Sequence, residues 1–453
     1  MSKHKHQSEK MGVLSIPKLL LEQSLPASLG ILVLSIYNIV DSIFVGKFVG
    51  TMALGAVAVV LPITFFISAL GMAVGVGGGS IISRSLGAKN YEKAYETFGN
   101  QTLITVGLSS IVAFVSFFFL DEIILLFGGK GELMEPAKVY FKIILPSVPF
   151  LAWAMMSNNV FRAEGLPKIA MITMFIPAIV NFILDPLFIV VFDCGLAGAA
   201  WATSIAYFIS GIFTFFYFIK GGSQMSLKFK YLKIKYEIAR EIIEIGGVTF
   251  VRQATVSLLA IVLNNSLFHY GAEMAVSAYG IISRLMMFAN FPVFGLTQGF
   301  LPIAGYNYGA KQWLRVRETI IKSILYGVVI ATVTFAILMA FPEQIVKLFT
   351  NDSVLIQQSA PALRLVFLLT PFLIIQLISS AYYQAIGKAL PALILTLLKQ
   401  GIFLIPLVLL LPKYLGLQGI WYAFPLADLL TSLVSGVFIS ISLGKLKLMH
   451  NRI

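Results

Sequence analysis

The sequence has little of what a soluble enzyme or a metalloprotein needs. Only 12% of its 453 residues are charged, whereas a soluble domain carries roughly 25%. Its single cysteine, Cys194, cannot form an internal disulfide, and its four histidines do not recur at metal-ligand spacing. The sequence also shows no nucleophile–base arrangement and no metal motif. We therefore expect neither an enzyme nor a protein with a bound cofactor.

Long apolar runs fill the chain instead. Hydrophobic residues make up 58% of the sequence, and its mean hydropathy is +0.91. Runs of about 20 apolar residues, enough to cross a bilayer core of roughly 30 Å, recur from end to end. The predicted fold is therefore an all-α integral membrane protein with twelve transmembrane helices. The predicted spans lie near 16–42, 52–76, 96–120, 137–160, 168–191, 197–219, 242–268, 276–304, 319–341, 357–384, 390–411 and 417–443.

Basic residues are concentrated on one predicted membrane face. The formal net charge is +13, and 23 lysines and arginines lie at the termini and in the loops that follow even-numbered spans. The opposite loops hold six. By the positive-inside rule, both termini are expected in the cytoplasm of a multi-pass protein of the cell (inner) membrane. Because the basic residues are spread over one membrane face, where they set the orientation of the spans, we do not expect nucleic acid as a partner.

The chain also repeats itself at a separation of 222 positions. Six spans in each half make the two repeats parallel, which is typical of secondary transporters. The predicted domains are a first lobe (1–222), a cytoplasmic linker (223–240) and a second lobe (241–453). The landmarks of the repeat are Gly77 and Gly299, Gly87-Ala88-Lys89 and Gly309-Ala310-Lys311, Glu96-Thr97 and Glu318-Thr319, and Gly165 and Gly387.

Two acids interrupt the apolar spans of the first half. Asp41 follows Tyr37 by one helical turn, and Asp185 follows Asn181 by one turn. Pro186 has no N–H and clashes with the carbonyl group one turn earlier, so it frees a carbonyl oxygen beside Asp185. Carboxylates, an amide and a free carbonyl suit a proton or a hard monovalent cation. Three further polar residues of the same lobe could complete the site: Asn158, Asn159 and Thr203.

These acids have two possible roles. They could tie helices together through hydrogen bonds, or they could bind and release the coupling ion. Charges inside spans are costly and are functional candidates by default. Since the lysines and arginines of this lobe lie in its loops or close to span ends, away from the two acids, we favour an ion-binding or titrating role.

The second half has the opposite charge balance. Asp428 is its only span acid, and its depth predicts an ion pair with Arg284. Lys399 and Gln400 lie in the middle of a span and could be functional or structural. The sequence therefore predicts ion chemistry in the first lobe, with these second-lobe residues as secondary candidates. The span cations of the second half are Arg252, Arg284, Arg364 and Lys399.

Taken together, these motifs resemble those of the multidrug and toxic compound extrusion (MATE) family, in its DinF-like branch that includes the MepA type. The resemblance extends over essentially the whole chain. It is carried by Pro26, Asp41, the Gly-Ala-Lys loops of both halves, Phe161-Arg162-Ala163-Glu164-Gly165, Asn181, Asp185-Pro186 and Gly198-Ala199-Ala200-Trp201-Ala202-Thr203.

The resemblance implies two six-helix lobes around a V-shaped central cavity, and export of cationic or amphipathic drugs driven by inward flow of H⁺ or Na⁺. It assigns Asp41 and Asp185 to the acidic pair and Pro26 to the bend of the first span. It places Asn181, Thr203 and Asn158 or Asn159 among the polar site residues. Other branches carry acids on spans 7 and 10, where this chain has Arg252 and Arg364.

One alternative function stays open at this point. A flippase of lipid-linked saccharides or other amphiphiles would share the architecture, and the cationic second lobe would suit phosphate groups. The expected partners are small amphipathic or cationic drugs and the lipid bilayer, and the expected state is a monomer.

Overall fold

Residues 7–451 are described by a computed structural model, and within this range the chain forms helices and no strand. A helix satisfies its own backbone hydrogen bonds, which an apolar chain requires inside a bilayer. The predicted all-α class and the twelve apolar spans are confirmed. The long helices are α1 (Ile16–Val49), α2 (Thr51–Gly87), α3 (Tyr91–Phe118), α4 (Gly131–Ala163), α5 (Pro167–Val191), α6 (Gly195–Ile219), α7 (236–271), α8 (273–309), α9 (Trp313–Ala340), α10 (Ser353–Ala385), α11 (Ala389–Leu415) and α12 (Leu417–His450).

Helices α7 and α8 follow each other directly within Tyr236–Gly309 and are separated by a kink at Ala272. As a single helix, these 74 residues would extend about 110 Å, far beyond a bilayer core of roughly 30 Å. The backbone at Ala272 has φ 50° and ψ −158°, which no α-helix adopts. The break therefore separates two spans that the hydropathy pattern also separates.

Short or irregular helical turns join and interrupt the spans. Two π-helical turns accompany intramembrane charges: one directly follows Asp185, and the other includes Lys399. Single π-turns are frequent at functional sites. The short helices are Lys10–Val13, Leu120–Leu126, Pro342–Lys347 and, within α11, Pro412–Leu415. The π-turns are Val45–Val49, Pro186–Val191 and Leu398–Leu404. The 3₁₀ turns are Gly131–Leu133, Leu145–Ser147, Phe229–Tyr231 and Thr370–Phe372.

The internal repeat is visible in the backbone conformation as well as in the sequence. Lys89 and Lys311, which are 222 positions apart, both adopt φ 57°, a left-handed conformation that is uncommon for lysine. Gly165 and Gly387, at the same separation, adopt φ 78° and 79°. In each half the lysine N–H donates to the carbonyl three residues earlier, at 3.1 Å. The two halves therefore have the same backbone conformation at these equivalent loops.

The chain packs into two units. The first contains Leu29–Thr249 with the N-terminal residues up to Val13, and the second contains Leu14–Ser28 and Phe250–Ile453. Helix α1 thus changes unit between Ser28 and Leu29. The predicted linker (223–240) lies in the first unit, because it packs there: the Lys235 N–H donates to Asn100 Oδ1 at 2.8 Å.

Each unit has its own apolar core. In the first unit, Ile67, Phe141 and Ile189 are buried between α2, α4 and α5. In the second, Leu263, Phe367 and Phe424 are buried between α7, α10 and α12. These cores hold the helices that carry the charged residues described below.

Candidate functional site

A polar cluster lies inside the first unit, and three helices supply it in the same way. Each helix contributes two residues four positions apart, so both side chains of a pair lie on one helix face. A fourth helix, α4, adds one tyrosine. The cluster consists of Tyr37 and Asp41 from α1, Asn181 and Asp185 from α5, Thr203 and Tyr207 from α6, and Tyr140 from α4.

The two acids of the cluster contact each other. The carboxyl groups of Asp41 and Asp185 lie within hydrogen-bonding reach of each other, and the residues are only 7% and 1% exposed. Asp41 Oδ1 has no hydrogen-bond partner in the part of the chain that the structure describes. Among those same residues, no lysine or arginine forms an ion pair with either acid. The pair is therefore buried without a protein cation to neutralise it.

Asn181 links this acid pair to α6. In the amide orientation that suits its neighbours, Asn181 Nδ2 donates to Asp185 Oδ2, and Oδ1 accepts from the Thr203 hydroxyl at 3.1 Å and the Thr203 N–H at 3.2 Å. The Thr203 hydroxyl is also within hydrogen-bonding reach of Tyr37 and Tyr140. One network therefore joins α1, α4, α5 and α6 around the acids.

The local sequence explains the position of Asp185. The α-helical part of α5 ends at Asp185, and Pro186 begins the π-turn. Proline supplies no N–H to the carbonyl group of Phe182, which lies one turn earlier. The chain therefore leaves α-helical geometry directly after Asp185, and a free carbonyl oxygen beside its carboxyl group stays a prediction.

Two cluster residues, Tyr140 and Tyr207, were missed by the sequence analysis. Tyr207 follows Thr203 by one turn, so the spacing that pairs Asp41 with Tyr37 would have found it. Tyr140 lies on a separate helix, and no spacing in the sequence connects it with the acids. It is 4% exposed and lies close enough to both acids for an electrostatic interaction with them.

The structure does not bring Asn158 and Asn159 to the acid pair. Asn158 Nδ2 donates to the Ala170 carbonyl at 2.5 Å and to Thr173 Oγ1 at 2.9 Å, and Asn158 Oδ1 accepts from Arg162 Nε at 3.0 Å. Asn159 Nδ2 donates to the Met155 carbonyl of its own helix at 3.0 Å. Asn158 thus joins α4 to α5, and its role in an ion site stays a prediction.

The second unit has a charge pair of a different kind. Lys399 Nζ lies 2.8 Å from Asp428 Oδ1, and the Asp428 side chain is 1% exposed. The predicted pairing of Asp428 with Arg284 is therefore wrong, because Lys399 fills that place and Arg284 is exposed. Gln400 is half-buried beside Lys399. This acid is neutralised, unlike the acids of the first unit.

A third buried acid, Glu164, lies just beyond the end of α4, outside the spans. It is 1% exposed. Its Oε1 accepts from the Ser223 hydroxyl at 2.6 Å and its Oε2 from the Gln224 N–H at 2.7 Å. Burial raises the pKa of Glu164 from 4.5 to about 8, against the opposing effect of these hydrogen bonds. Glu164 thus fixes the start of the linker to the first unit.

Comparisons with known proteins agree with this architecture. A family model described as MatE matches residues 26–187 and 249–410, one match in each half of the chain. The multidrug export protein MepA of Staphylococcus aureus (strain MRSA252) is 31% identical over 421 residues, which are 92% of each protein. Two solved structures, described as MATE in the bent and in the straight conformation, superpose with TM-scores of 0.92 and 0.91. Both are 24% identical and cover 99% of each chain.

Proposed function

The chain belongs to the MATE family of membrane transporters, and we propose that it exports amphipathic or cationic drugs from the cell in exchange for inward-moving H⁺ or Na⁺. Members of this family are transporters rather than enzymes. The observation that carries the proposal is the buried Asp41–Asp185 pair, with which no lysine or arginine among residues 7–451 forms an ion pair.

An acid pair of this kind is suited to ion exchange. A hydrogen bond between two carboxyl groups requires a proton, and two ionised carboxylates in contact would repel each other strongly in an apolar interior. A proton, or a sodium ion held by the same oxygens together with Asn181 and Thr203, therefore holds α1 against α5 and α6. Loss of the ion favours their separation and access for a cationic drug.

Pro26 offers a hinge through which the ion can act. It removes one backbone hydrogen bond from the middle of α1. Just beyond it, α1 passes from the second unit to the first, between Ser28 and Leu29. The early part of α1 packs closely on α8, since a Cβ added at Gly295 would lie 2.6 Å from the Ser28 nitrogen. A bend at Pro26 would let Asp41 move while the part of α1 that precedes Pro26 stays in place.

Coupling then follows from differential affinity. An ion that binds one conformation tenfold more tightly than another shifts the equilibrium by about 1.4 kcal/mol. The MepA relatives are named as multidrug exporters, which supports drugs as the cargo. The flippase alternative is not favoured, because no observation points to a lipid-linked saccharide. Lys399 and Asp428, with Gln400 beside Lys399, stabilise the second lobe in this proposal, and the exposed Arg284 has no role in it.

Charge-neutral variants of the two acids test the coupling. Asp41→Asn and Asp185→Asn each keep the size of the side chain and remove the exchangeable charge. In proteoliposomes, each is expected to lower gradient-driven efflux of a fluorescent organic cation at least tenfold. Collapsing the pH and sodium gradients separately identifies the ion.

Asp193→Asn is the matched control, since Asp193 is an exposed acid eight positions after Asp185. Its positive φ of 50° suits asparagine, and its efflux should equal that of the wild type. Undiminished coupled efflux in both Asp41→Asn and Asp185→Asn would overturn the proposal.

The proposed orientation, with both termini in the cytoplasm, can be tested without adding a cysteine. Cys194 is exposed in the loop between α5 and α6, which the proposal places outside the cell. A membrane-impermeant maleimide added to intact cells should label the wild type and leave Cys194→Ser unlabelled. Labelling only after the membrane is opened would contradict this orientation.

A further inference from the structure

A cavity of about 310 Å³ lies away from the acid cluster, where α3 ends and the short helix Leu120–Leu126 leads towards α4. Its lining combines aromatic rings with charges of both signs. Neither the sequence motifs nor the proposed coupling mechanism uses it. The lining residues are Phe117, Phe118, Leu120, Asp121, Glu122 and Lys142.

The charges around the cavity are only partly paired. Lys138 Nζ lies 2.9 Å from Asp121 Oδ1 and 3.1 Å from Glu135 Oε1, so Lys138 and Asp121 are satisfied. Glu122 and Lys142 form no ion pair with any residue between 7 and 451. The cavity therefore displays one free carboxylate and one free ammonium group that do not neutralise each other.

The surface beside the cavity is aromatic and open. Four phenylalanines at the end of α3 are between 53% and 67% exposed, and Lys142 Nζ lies 6.0 Å from the centre of the Phe117 ring. Because these apolar rings lie at the end of a membrane span, they form a surface suited to acyl chains next to the headgroup level. The exposed rings are Phe114, Phe117, Phe118 and Phe119.

We propose that this cavity binds the headgroup of a zwitterionic phospholipid with a primary amine, of the phosphoethanolamine class. Lys142 binds the phosphate, Glu122 accepts hydrogen bonds from the ammonium group, and the acyl chains lie along the exposed phenylalanines. A primary ammonium has three N–H donors for the Glu122 carboxylate, as a lysine side chain has, whereas a quaternary ammonium has none. An anionic glycerol headgroup would satisfy Lys142 and leave Glu122 without a partner.

The repeat supplies a matched control. At the separation of 222, Lys142 corresponds to Arg364, Glu122 to Gln344, and Phe117 and Phe118 to Met339 and Ala340. The second half thus keeps the cation, and Phe341 and Glu343 stand where Phe119 and Asp121 stand, but it lacks the Glu122 carboxylate and the rings of Phe117 and Phe118. Arg364 is exposed like Lys142 and also contacts the end of the preceding span, through the Met339 carbonyl at 3.5 Å. Arg364→Gln therefore removes a comparable charge from a place where no lipid is proposed.

The test is native mass spectrometry of the full chain, taken from vesicles with equal amounts of phosphatidylethanolamine, phosphatidylcholine and phosphatidylglycerol. The wild type should retain phosphatidylethanolamine preferentially. Lys142→Gln and Glu122→Gln should each lower that retention at least fivefold, with Arg364→Gln at the wild-type level. Thermal unfolding of the same samples confirms that the variants are folded.

Three results would overturn the assignment. Equal retention of the three lipids by the wild type would remove the headgroup specificity. Equal loss in Arg364→Gln would show that any interfacial cation serves. Displacement of the lipid by a transported organic cation, with the lipid itself showing no preference, would assign the cavity to drugs instead.

Discussion

The two halves of this transporter share a backbone plan and differ sharply in what they place at its centre. Each residue of the polar cluster has an equivalent 222 positions later, and every equivalent is apolar or proline. Leu263 and Ala362 belong to the buried core of the second unit, and Phe403 and Leu407 pack against it. The equivalents of Tyr37, Asp41, Tyr140, Asn181, Asp185, Thr203 and Tyr207 are Leu259, Leu263, Ala362, Phe403, Leu407, Pro425 and Leu429.

The fold does not require polar residues at the positions of the cluster. The second unit fills these positions with an apolar core, so a six-helix unit of this plan can form without polar groups there. Burying two acids is costly in a membrane interior. This difference supports the ion-exchange role proposed above over a purely structural role for the two acids.

The largest expected effect comes from giving the first half the residues of the second. The double variant Asp41→Leu/Asp185→Leu reproduces Leu263 and Leu407. It should still fold with at most a modest loss of stability, because the second unit forms with leucine at both positions, although Asn181 loses its acceptor at Asp185. Coupled efflux should fall to background. Thermal unfolding and gradient-driven efflux measure the two effects, and a large loss of stability would assign the acids a structural role instead.

A second prediction concerns the charge pair that only the second half has. Lys399→Met leaves Asp428 buried without its cation and should destabilise the protein by about 3–5 kcal/mol. The double variant Lys399→Met/Asp428→Leu removes both charges and should recover most of that loss. Arg284→Met, at an exposed position, is the control. Chemical denaturation in detergent measures the difference. A double variant as unstable as the single one would mean that the pair does more than neutralise itself.

The smallest effect is expected at Glu164, whose equivalent in the second half is the apolar Ile386. Because the folded pKa of about 8 exceeds the unfolded value of 4.5, the folded state binds more protons between these values. The stabilising contribution of Glu164 is full below pH 4.5, falls as pH rises towards 8, and stays constant above it. Melting temperatures between pH 5 and 9 should show this slope in the wild type.

Two variants test whether Glu164 causes this pH dependence of the melting temperature. Glu164→Gln keeps the hydrogen bond to Ser223 available without a titrating group, so it should flatten the curve between pH 5 and 8. Glu237→Gln, at an exposed position near the same face, should leave the slope as in the wild type. An unchanged slope in Glu164→Gln would show that the pH dependence has another source.

Much of the site was predictable because a helix repeats its faces every three to four residues. Asp41 with Tyr37, and Asp185 with Asn181, share faces by spacing alone, and an acid in an apolar span is conspicuous. Contacts between helices were not predictable in this way. Tyr140 joins the cluster from a different helix, and Asn158 turns to Arg162 and α5.

The error at Asp428 has a related cause. Its pairing with Arg284 was inferred from depth in the membrane, but depth does not specify the helix face. A residue turns by about 100° around the axis from its neighbour, so two residues at one depth can point apart. Lys399 faces Asp428 and Arg284 is exposed. Only the packing of the second unit determines this choice.

Ion exchange at the Asp41–Asp185 pair can be tested by measuring the ions that are released when a drug binds. Purified transporter would be titrated with an organic cation in weakly buffered medium, with proton release and sodium displacement followed together. The account predicts that the wild type releases H⁺ or Na⁺ on binding, and that Asp41→Asn/Asp185→Asn releases neither. Tight drug binding by the wild type without release of either ion would contradict the account.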